Sequence, residues 1–370
     1  MLIRMRSLFD ANILVDKMTF DLEKLARPNI LRLKPYSSAL SEFVGSADVF
    51  LDANENAFGS PAGLGYNRYP DPLQNGLKER IGDLNRIPPS RIFVGNGSDE
   101  AIDLLFRIFC EPGGDEAIIC PPTYGMYRVS ADINDVAVAE VSLSDEFQLD
   151  VPAVLDRVTD RTKLVFTCSP NNPTGNLMRR NDVIEIARNF GGIVVVDEAY
   201  IHFAGQGSLI DELGELPNLV VLQTFSKAWA MAGLRVGLAF AGEQIIDLMN
   251  RVKPPYNVSG IAQRAAIDAF AKVGEIDNWI AETLNERKRL EEQLPNFDLV
   301  EKIYPSDANF VLVKVSDANN IYEYLIRKKI VVRNRSSVTL CEECLRVTVG
   351  TAAENDRLLR ALSEYDGFED

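Results

Sequence analysis

Short apolar runs recur along this chain at intervals too wide for hairpins, and that recurrence limits the fold more than any other feature. Lys163 to Thr167, Ile193 to Val196, Leu219 to Leu222 and Val236 to Phe240 each read as a strand. Two of them, Ile193-Val194-Val195-Val196 and Leu219-Val220-Val221-Leu222, show no polar alternation, so both faces of those strands must be covered. Segments with helical patterning, Pro152 to Val158 and Arg180 to Phe190, lie among them. Strands alternating with helices predict an α/β fold whose central sheet is mostly parallel, with helices on both faces. Upstream, a helix is expected from Pro72 to Arg86, with proline at its start. A strand beginning near Arg91 follows, and Ser98 reads as the N-cap of a helix carrying Ile102, Leu105, Phe106 and Phe109. Residues 243–252 and 261–294 read as helical. After Pro295 the segments shorten: Asn309 to Val315, Ile330 to Val332 and Leu345 to Val349 are strand-like, Ala318 to Lys328 and Glu354 to Tyr365 helical. A chain of 370 residues exceeds what one simple core serves, so this last stretch is expected to form a second, smaller α/β unit.

Chemistry concentrates where strands end. After Leu219 to Leu222 comes Thr224-Phe225-Ser226-Lys227, and then Gly233-Leu234-Arg235. A lysine amine is nucleophilic only when deprotonated, and a low-dielectric site beside another cation favours that form. Such an amine forms a Schiff base with an aldehyde, the chemistry that pyridoxal 5'-phosphate uses. The hydroxyls of Thr224 and Ser226 and the guanidinium of Arg235 are groups that hold a phosphate. The run Ile193 to Val196 ends in Asp197-Glu198-Ala199-Tyr200. An acid at a strand's carboxyl end faces the crevice where open α/β sheets bind ligands. There it can keep a pyridinium nitrogen protonated, and Tyr200 can bond the ring's phenolic oxygen. Gly95-Asn96-Gly97-Ser98-Asp99 turns from strand to helix, and the free N–H groups of that helix start suit an anion. Arg346 sits inside a strand-like run, where an unpaired charge is expensive and calls for an anionic partner, either a structural carboxylate or a ligand.

The order Asn172-Pro173-Thr174-Gly175, Asp197-Glu198-Ala199-Tyr200, Ser226-Lys227, Gly233-Leu234-Arg235 resembles the fold-type I PLP-dependent aminotransferases, from about Leu31 to the C-terminus. Cys120-Pro121-Pro122-Thr123-Tyr124-Gly125-Met126-Tyr127 looks especially like their histidinol-phosphate branch. The resemblance implies a large domain, residues 61–290, holding PLP on Lys227, and a small C-terminal domain, residues 291–370, to which an arm, residues 28–60, contributes. Residues 1–27 read as an N-terminal extension. It further implies catalytic roles for Lys227, Asp197 and Tyr124. Tyr124 would stack on the ring, and Asn172 would join Tyr200 at the ring oxygen. Ser98, Asp99, Thr224, Ser226 and Arg235 would hold the cofactor phosphate, together with Tyr69 reaching across a homodimer interface. Tyr36, Asn172, Arg333 and Arg346 would bind the substrate's anionic groups; Arg333 and Arg346 have the thirteen-residue spacing of the histidinol-phosphate enzymes. Arg335 reads as a solvated neighbour. The expected reaction moves an amino group between L-histidinol phosphate and 2-oxoglutarate, giving L-glutamate. The alternatives are an aromatic amino acid aminotransferase, a PLP-dependent decarboxylase of a phosphorylated amino acid, and a protein that binds PLP without turnover.

Composition removes other classes. The formal net charge of −15 argues against nucleic acid or an anionic membrane as partner, and no apolar run approaches the length of a bilayer span. Five cysteines and no secretory pattern in residues 1–17 fit a cytoplasmic protein. Cys341-Glu342-Glu343-Cys344 lacks a second Cys or His pair, so no metal is expected, and the single histidine, His202, reads as structural.

Overall fold

The computed structural model describes residues 20–35, 48–63 and 65–365. Seven strands form the larger sheet: β1 (Ile92–Asn96), β2 (Glu116–Ile119), β3 (Ala137–Glu140), β4 (Thr162–Cys168), β5 (Ile193–Asp197), β6 (Leu219–Thr224) and β7 (Val236–Phe240). Their spatial order is β1-β7-β6-β5-β4-β2-β3. Strands β3, β2, β4, β5 and β6 pair in parallel, and β7 runs antiparallel to both neighbours. Side chains along a strand alternate between faces. On β5, Val194 and Val196 therefore join one apolar layer with Val165 and Val221, while Ile193 and Val195 join the other with Phe106 and Phe166. Two-sided burial is why these strands carry no polar alternation. Their carboxyl ends, at Cys168, Asp197 and Thr224, open on one edge of the sheet.

The second layer is closed by the helices Ser98–Phe109, Met126–Ile133 and Glu243–Val252. Residues of the short helices Leu22–Leu25 and Pro28–Leu31 pack there too, with Ala26 and Ile30 in the same core. The Arg27 N–H donates to the Ile108 carbonyl at 2.9 Å, and its Nε to Glu111 at 2.9 Å. Residues 28–31 of the arm thus meet the larger sheet's helical layer.

A four-stranded antiparallel sheet follows: β8 (Val300–Tyr304), β9 (Phe310–Val315), β10 (Arg333–Asn334) and β11 (Cys344–Thr348), in the order β10-β11-β9-β8. Val311, Val313, Leu345 and Val347 pack against Leu294, Ile321, Leu325, Leu358 and Leu362 from the helices alongside. Loops beside the two sheets are tied together: Asp307 N–H donates to Gly175 O at 2.7 Å, and the Asp307 carboxylate accepts from Leu177 N–H at 2.9 Å.

Several expected boundaries move. The first long helix spans Asn75–Asn85, because Gln74 before it is left-handed at φ 54° and Pro72 lies in the preceding turn. Gly97, at φ 82°, is the N-cap of the next helix and Ser98 its first residue. The expected helix over 261–294 is two, Gly260–Ala269 and Val273–Gln293, with a 3-10 turn at Phe270–Lys272. Ile330 to Val332 leads into β10 without being a strand itself. Strand β8 was not expected. It is an edge strand whose Glu301 and Lys302 are exposed, so it lacks an apolar signature. The last helix starts at Ala352, fixed by a capping box between Thr351 and Glu354.

Candidate active site

A cavity of about 640 Å³ opens at the carboxyl ends of β4, β5 and β6 and reaches the antiparallel sheet. It gathers residues from most of the chain: Ser98, Asp99, Tyr124, Asn172, Asp197, Tyr200, Thr224, Ser226, Lys227, Arg235, Arg333 and Arg346 all line it. Every expected site residue is there except two. Tyr69 is outside it, half exposed and stacked on Tyr256 with ring centroids 4.5 Å apart. Its N–H donates to Glu55 Oε1 at 2.6 Å. Tyr36 lies outside the described residues.

Lys227 is the one lysine among the lining residues. Its chain opens onto the cavity and is exposed there, yet the surrounding protein still desolvates the ammonium. Its basicity is lowered first by that burial, then by the charges of Arg346 and Arg235, against the opposing pull of Asp197 and Asp99. Nζ stands 5.5 Å from the Tyr200 ring centroid, with no ion pair to a carboxylate among the described residues.

Asp197 ends β5 and is 3 % exposed. Burial pushes its pKa up to about 6, although hydrogen bonds from the Tyr127 hydroxyl and the Ala199 N–H hold it down. Tyr127 Oη donates to Oδ2 at 2.9 Å, and Ala199 N–H to Oδ1 at 3.1 Å. Tyr127 itself is fully buried, stacked on Phe166 at 4.9 Å and edge-on to Tyr124 at 5.6 Å. Sequence reasoning gave Tyr127 no role. Its place on the first turn of the helix that follows Tyr124 was the available signal. Tyr124 donates to Asp99 Oδ1 at 3.1 Å.

At one end of the cavity the helix Ser98–Phe109 begins with no side-chain cap, leaving N–H groups free for an anion. Beside it, Thr224 Oγ1 donates to Ser226 Oγ at 3.0 Å, and Arg235 reaches Ser226 Oγ and Asp99 Oδ2, each at 3.4 Å. A Cβ on Gly97 would stand 2.6 Å from Arg235 Nη2, and one on Gly237 2.0 Å from the Ser98 nitrogen. Gly237 thus lets two stretches of backbone meet, Gly97 at φ 82° leaves room for the Arg235 guanidinium, and the cradle they leave suits a phosphate.

At the other end stand arginines. Arg346 Nη1 donates to Asn172 Oδ1, and its guanidinium lies 5.1 Å from the Phe310 ring centroid. Its Nε is buried without a partner. Arg335 lines the cavity as well, with its own Nε buried and unpartnered, so the expectation of a solvated neighbour is corrected. It is drawn inward because its N–H extends the β10–β11 ladder, donating to Cys344 O at 2.8 Å. Cys341 and Cys344 are fully buried thiols packed in the core, and no group of metal-ligating side chains exists among the described residues. His202 is outside the cavity, with burial lowering its pKa.

The donor set fits pyridoxal 5'-phosphate on these observations: an amine without an ion pair, a buried carboxylate for a ring N–H, an aromatic side chain, and an uncapped helix start lined by hydroxyls and an arginine. No helix among the described residues is long and apolar enough to cross a membrane.

Residues 46–362 match the family described as aminotransferase class I and II. A histidinol-phosphate aminotransferase from Bacteroides fragilis is 51 % identical over 345 residues, which is 93 % of this chain and 99 % of that one. One from Cytophaga hutchinsonii is 50 % identical over 348 residues, 94 % of this chain and 100 % of that one. The crystal structure of histidinol-phosphate aminotransferase from Sinorhizobium meliloti in complex with pyridoxal-5'-phosphate superposes with a TM-score of 0.76 at 26 % identity, covering 84 % of this chain and 89 % of that one.

Proposed function

This chain belongs to the class I and II aminotransferases, and from that premise we propose that it transfers an amino group between L-histidinol phosphate and 2-oxoglutarate, a step of histidine biosynthesis, with pyridoxal 5'-phosphate as cofactor. The observation that carries the reading is that one cavity gathers Lys227, the buried carboxylate of Asp197, an uncapped helix start and the arginines Arg235, Arg333 and Arg346. The near-full-length relatives named histidinol-phosphate aminotransferase support the choice of substrate.

When bound, the cofactor supplies an aldehyde that condenses with amines and a protonated ring that accepts electron density. The chain's residues do the rest. Lys227 Nζ, whose basicity burial lowers, would hold the cofactor through its aldehyde, and as a free amine it is placed to take a proton from the amine-bearing carbon of the substrate and return it. Asp197, fixed by Tyr127 and the Ala199 N–H, holds the proton of the ring nitrogen. Tyr124, Asn172 and Tyr200, which line the same cavity, would hold the ring in place. The N–H groups at Ser98 and Asp99, with Thr224, Ser226 and Arg235, hold the phosphate. Arg333, Arg346, Asn172 and Tyr36 bind the substrate's phosphate and the carboxylate that alternates with it.

We assign the remaining phosphate contact to Tyr69 of the partner subunit in a homodimer. Support comes from the segment carrying it, where Val49, Leu51, Phe58 and Tyr69 are 71, 85, 102 and 52 % exposed, more apolar surface than a lone subunit usually leaves in one stretch. Residues 61–290 and 291–370 are proposed as the two domains, and the cytoplasm as the location, in keeping with five buried free thiols.

The test is direct. Borohydride reduction of the holoprotein followed by peptide mapping should place the label on Lys227, and Lys227→Ala should lose turnover and the cofactor absorbance band while keeping the wild-type circular dichroism. Wild-type turnover in that variant would refute the assignment. A donor panel with 2-oxoglutarate should give glutamate fastest from histidinol phosphate; a faster reaction from phenylalanine, or release of carbon dioxide without a keto acid, would overturn the substrate.

A further inference from the structure

We infer that Arg335 is a third substrate-binding arginine, and that it sets the preference of this site for a dianionic phosphate monoester over a carboxylate. The inference rests on the proposed function and deepens it.

The strand pleat places three guanidinium groups on one face. Arg333 and Arg346 stand directly opposite each other in the antiparallel pair β10–β11. The next pair is Asn334 with Leu345, and the Arg335 N–H bond to Cys344 O continues the same ladder. Residues two apart on a strand face the same way, and directly opposed residues share a face. Arg335 therefore turns toward the side that Arg333 and Arg346 occupy, and all three line the cavity.

Like charges directly opposite one another destabilise a sheet. A protein that only needed structure here would place a carboxylate among them, yet none of the three arginines is ion-paired among the described residues. Arg346 has an amide oxygen and an aromatic face for partners, and Arg335 has backbone bonds alone. Both keep a buried Nε with no acceptor, which costs free energy until something fills the space. The proximity of Arg346 and Arg333, after burial, pushes the pKa of Arg335 down to about 10, so the guanidinium remains charged at neutral pH.

The ligand that relieves this cluster follows from charge and geometry. A carboxylate brings a single charge and two acceptor oxygens. A phosphate monoester brings about −1.5 to −2 at pH 7 and three acceptor oxygens, enough for three planar donors at once. Arg333 and Arg346 suffice for the carboxylate of the second substrate. Arg335 is surplus for that anion and matched to the first.

Arg335→Gln and Arg335→Lys test this on the holoenzyme by following each half-reaction through the cofactor absorbance. Loss of one charge-assisted contact predicts that kcat/KM for histidinol phosphate falls about ten- to hundredfold further than kcat/KM for glutamate in Arg335→Gln, with partial recovery in Arg335→Lys. Binding is read separately, by calorimetry and thermal shift with inorganic phosphate and with acetate as probes. Phosphate should bind at least about tenfold more weakly to Arg335→Gln, with a smaller rise in Tm, and the ratio to acetate should drop. Without anion, the variant should melt no lower than wild type, because a repulsive neighbour has gone. Equal losses for phosphate and acetate, equal losses in both half-reactions, or a lower Tm without anion would each overturn the inference in favour of a structural role. If wild type turned over no histidinol phosphate, the proposed function would fall, while the phosphate-to-acetate ratio would still decide Arg335.

Discussion

A single carboxylate shows how much one side chain's surroundings decide. Asp197 is buried and its pKa stands at about 6 against an ordinary 3.8. Below the lower value both folded and unfolded chains hold the proton, and Asp197 contributes nothing to stability. As pH rises from about 4 to 6 the unfolded chain ionises first, so stability is lost through that window, and the full cost stands above it. A shift of this size corresponds to about 3 kcal/mol. The cofactor-free protein with Asp197→Asn should therefore be more stable than wild type at pH 8, by up to that amount. Urea midpoints should converge at pH 4, and an unchanged gap across the range would contradict the assignment. Turnover should be lost, since an amide cannot hold the ring proton. Tyr127→Phe removes the donor to Asp197 Oδ2, which raises the aspartate's pKa further. We expect kcat/KM to fall about tenfold, in line with one hydrogen bond to a charged group, and the acid limb of the pH profile to move upward. A uniform loss at every pH would mean that Tyr127 serves packing alone. Lys227, Asp197 and Arg235 were legible because their neighbours in sequence are distinctive. Tyr127 and Arg335 were not, since their roles depend on partners 70 and 11 positions away.

Among the elements, the strand-to-helix turn at Gly95 to Asp99 and strand β7 are fitted to each other. Gly237 lies against the turn, where an added Cβ would meet Ser98 N at 2.0 Å and Gly97 C at 2.2 Å. Both are backbone atoms, which cannot swing aside as a side chain does. Gly237→Ala should cost about 3 kcal/mol and weaken cofactor binding in the folded fraction by moving the uncapped helix start. Gly233→Ala, with nothing within 4 Å of its added Cβ, should cost under about 1 kcal/mol. Equal denaturant midpoints for the two variants would show that the close approach matters little. The buried strands were readable because continuous apolar runs admit few other uses. Strand β8 was not, because an edge strand with exposed Glu301 and Lys302 looks like a loop. The break within 261–294 was not legible because the 3-10 turn at Phe270–Lys272 keeps helical patterning.

For the whole molecule, assembly can be measured. Phe58 is fully exposed on a segment held by Glu55, which accepts from both Arg68 and the Tyr69 N–H at 2.6 Å. If a second copy covers that segment, Phe58→Glu should shift sedimentation from dimer to monomer and lower activity by removing the tyrosine contributed in trans. A variant that stays dimeric and fully active would argue that this surface faces water. The amino-acid sequence by itself determined the parallel α/β core and the order of reactive residues along it. Burial on both faces demands unbroken apolar strands, and the acid, the amine and the hydroxyls follow those strands directly. Only the tertiary structure decided which residues meet. The order of strands brings β5 and β6 side by side, and the antiparallel sheet swings three arginines over the same cavity. Such convergence depends on crossovers and register, whose energies are spread over the whole fold rather than written at any one position.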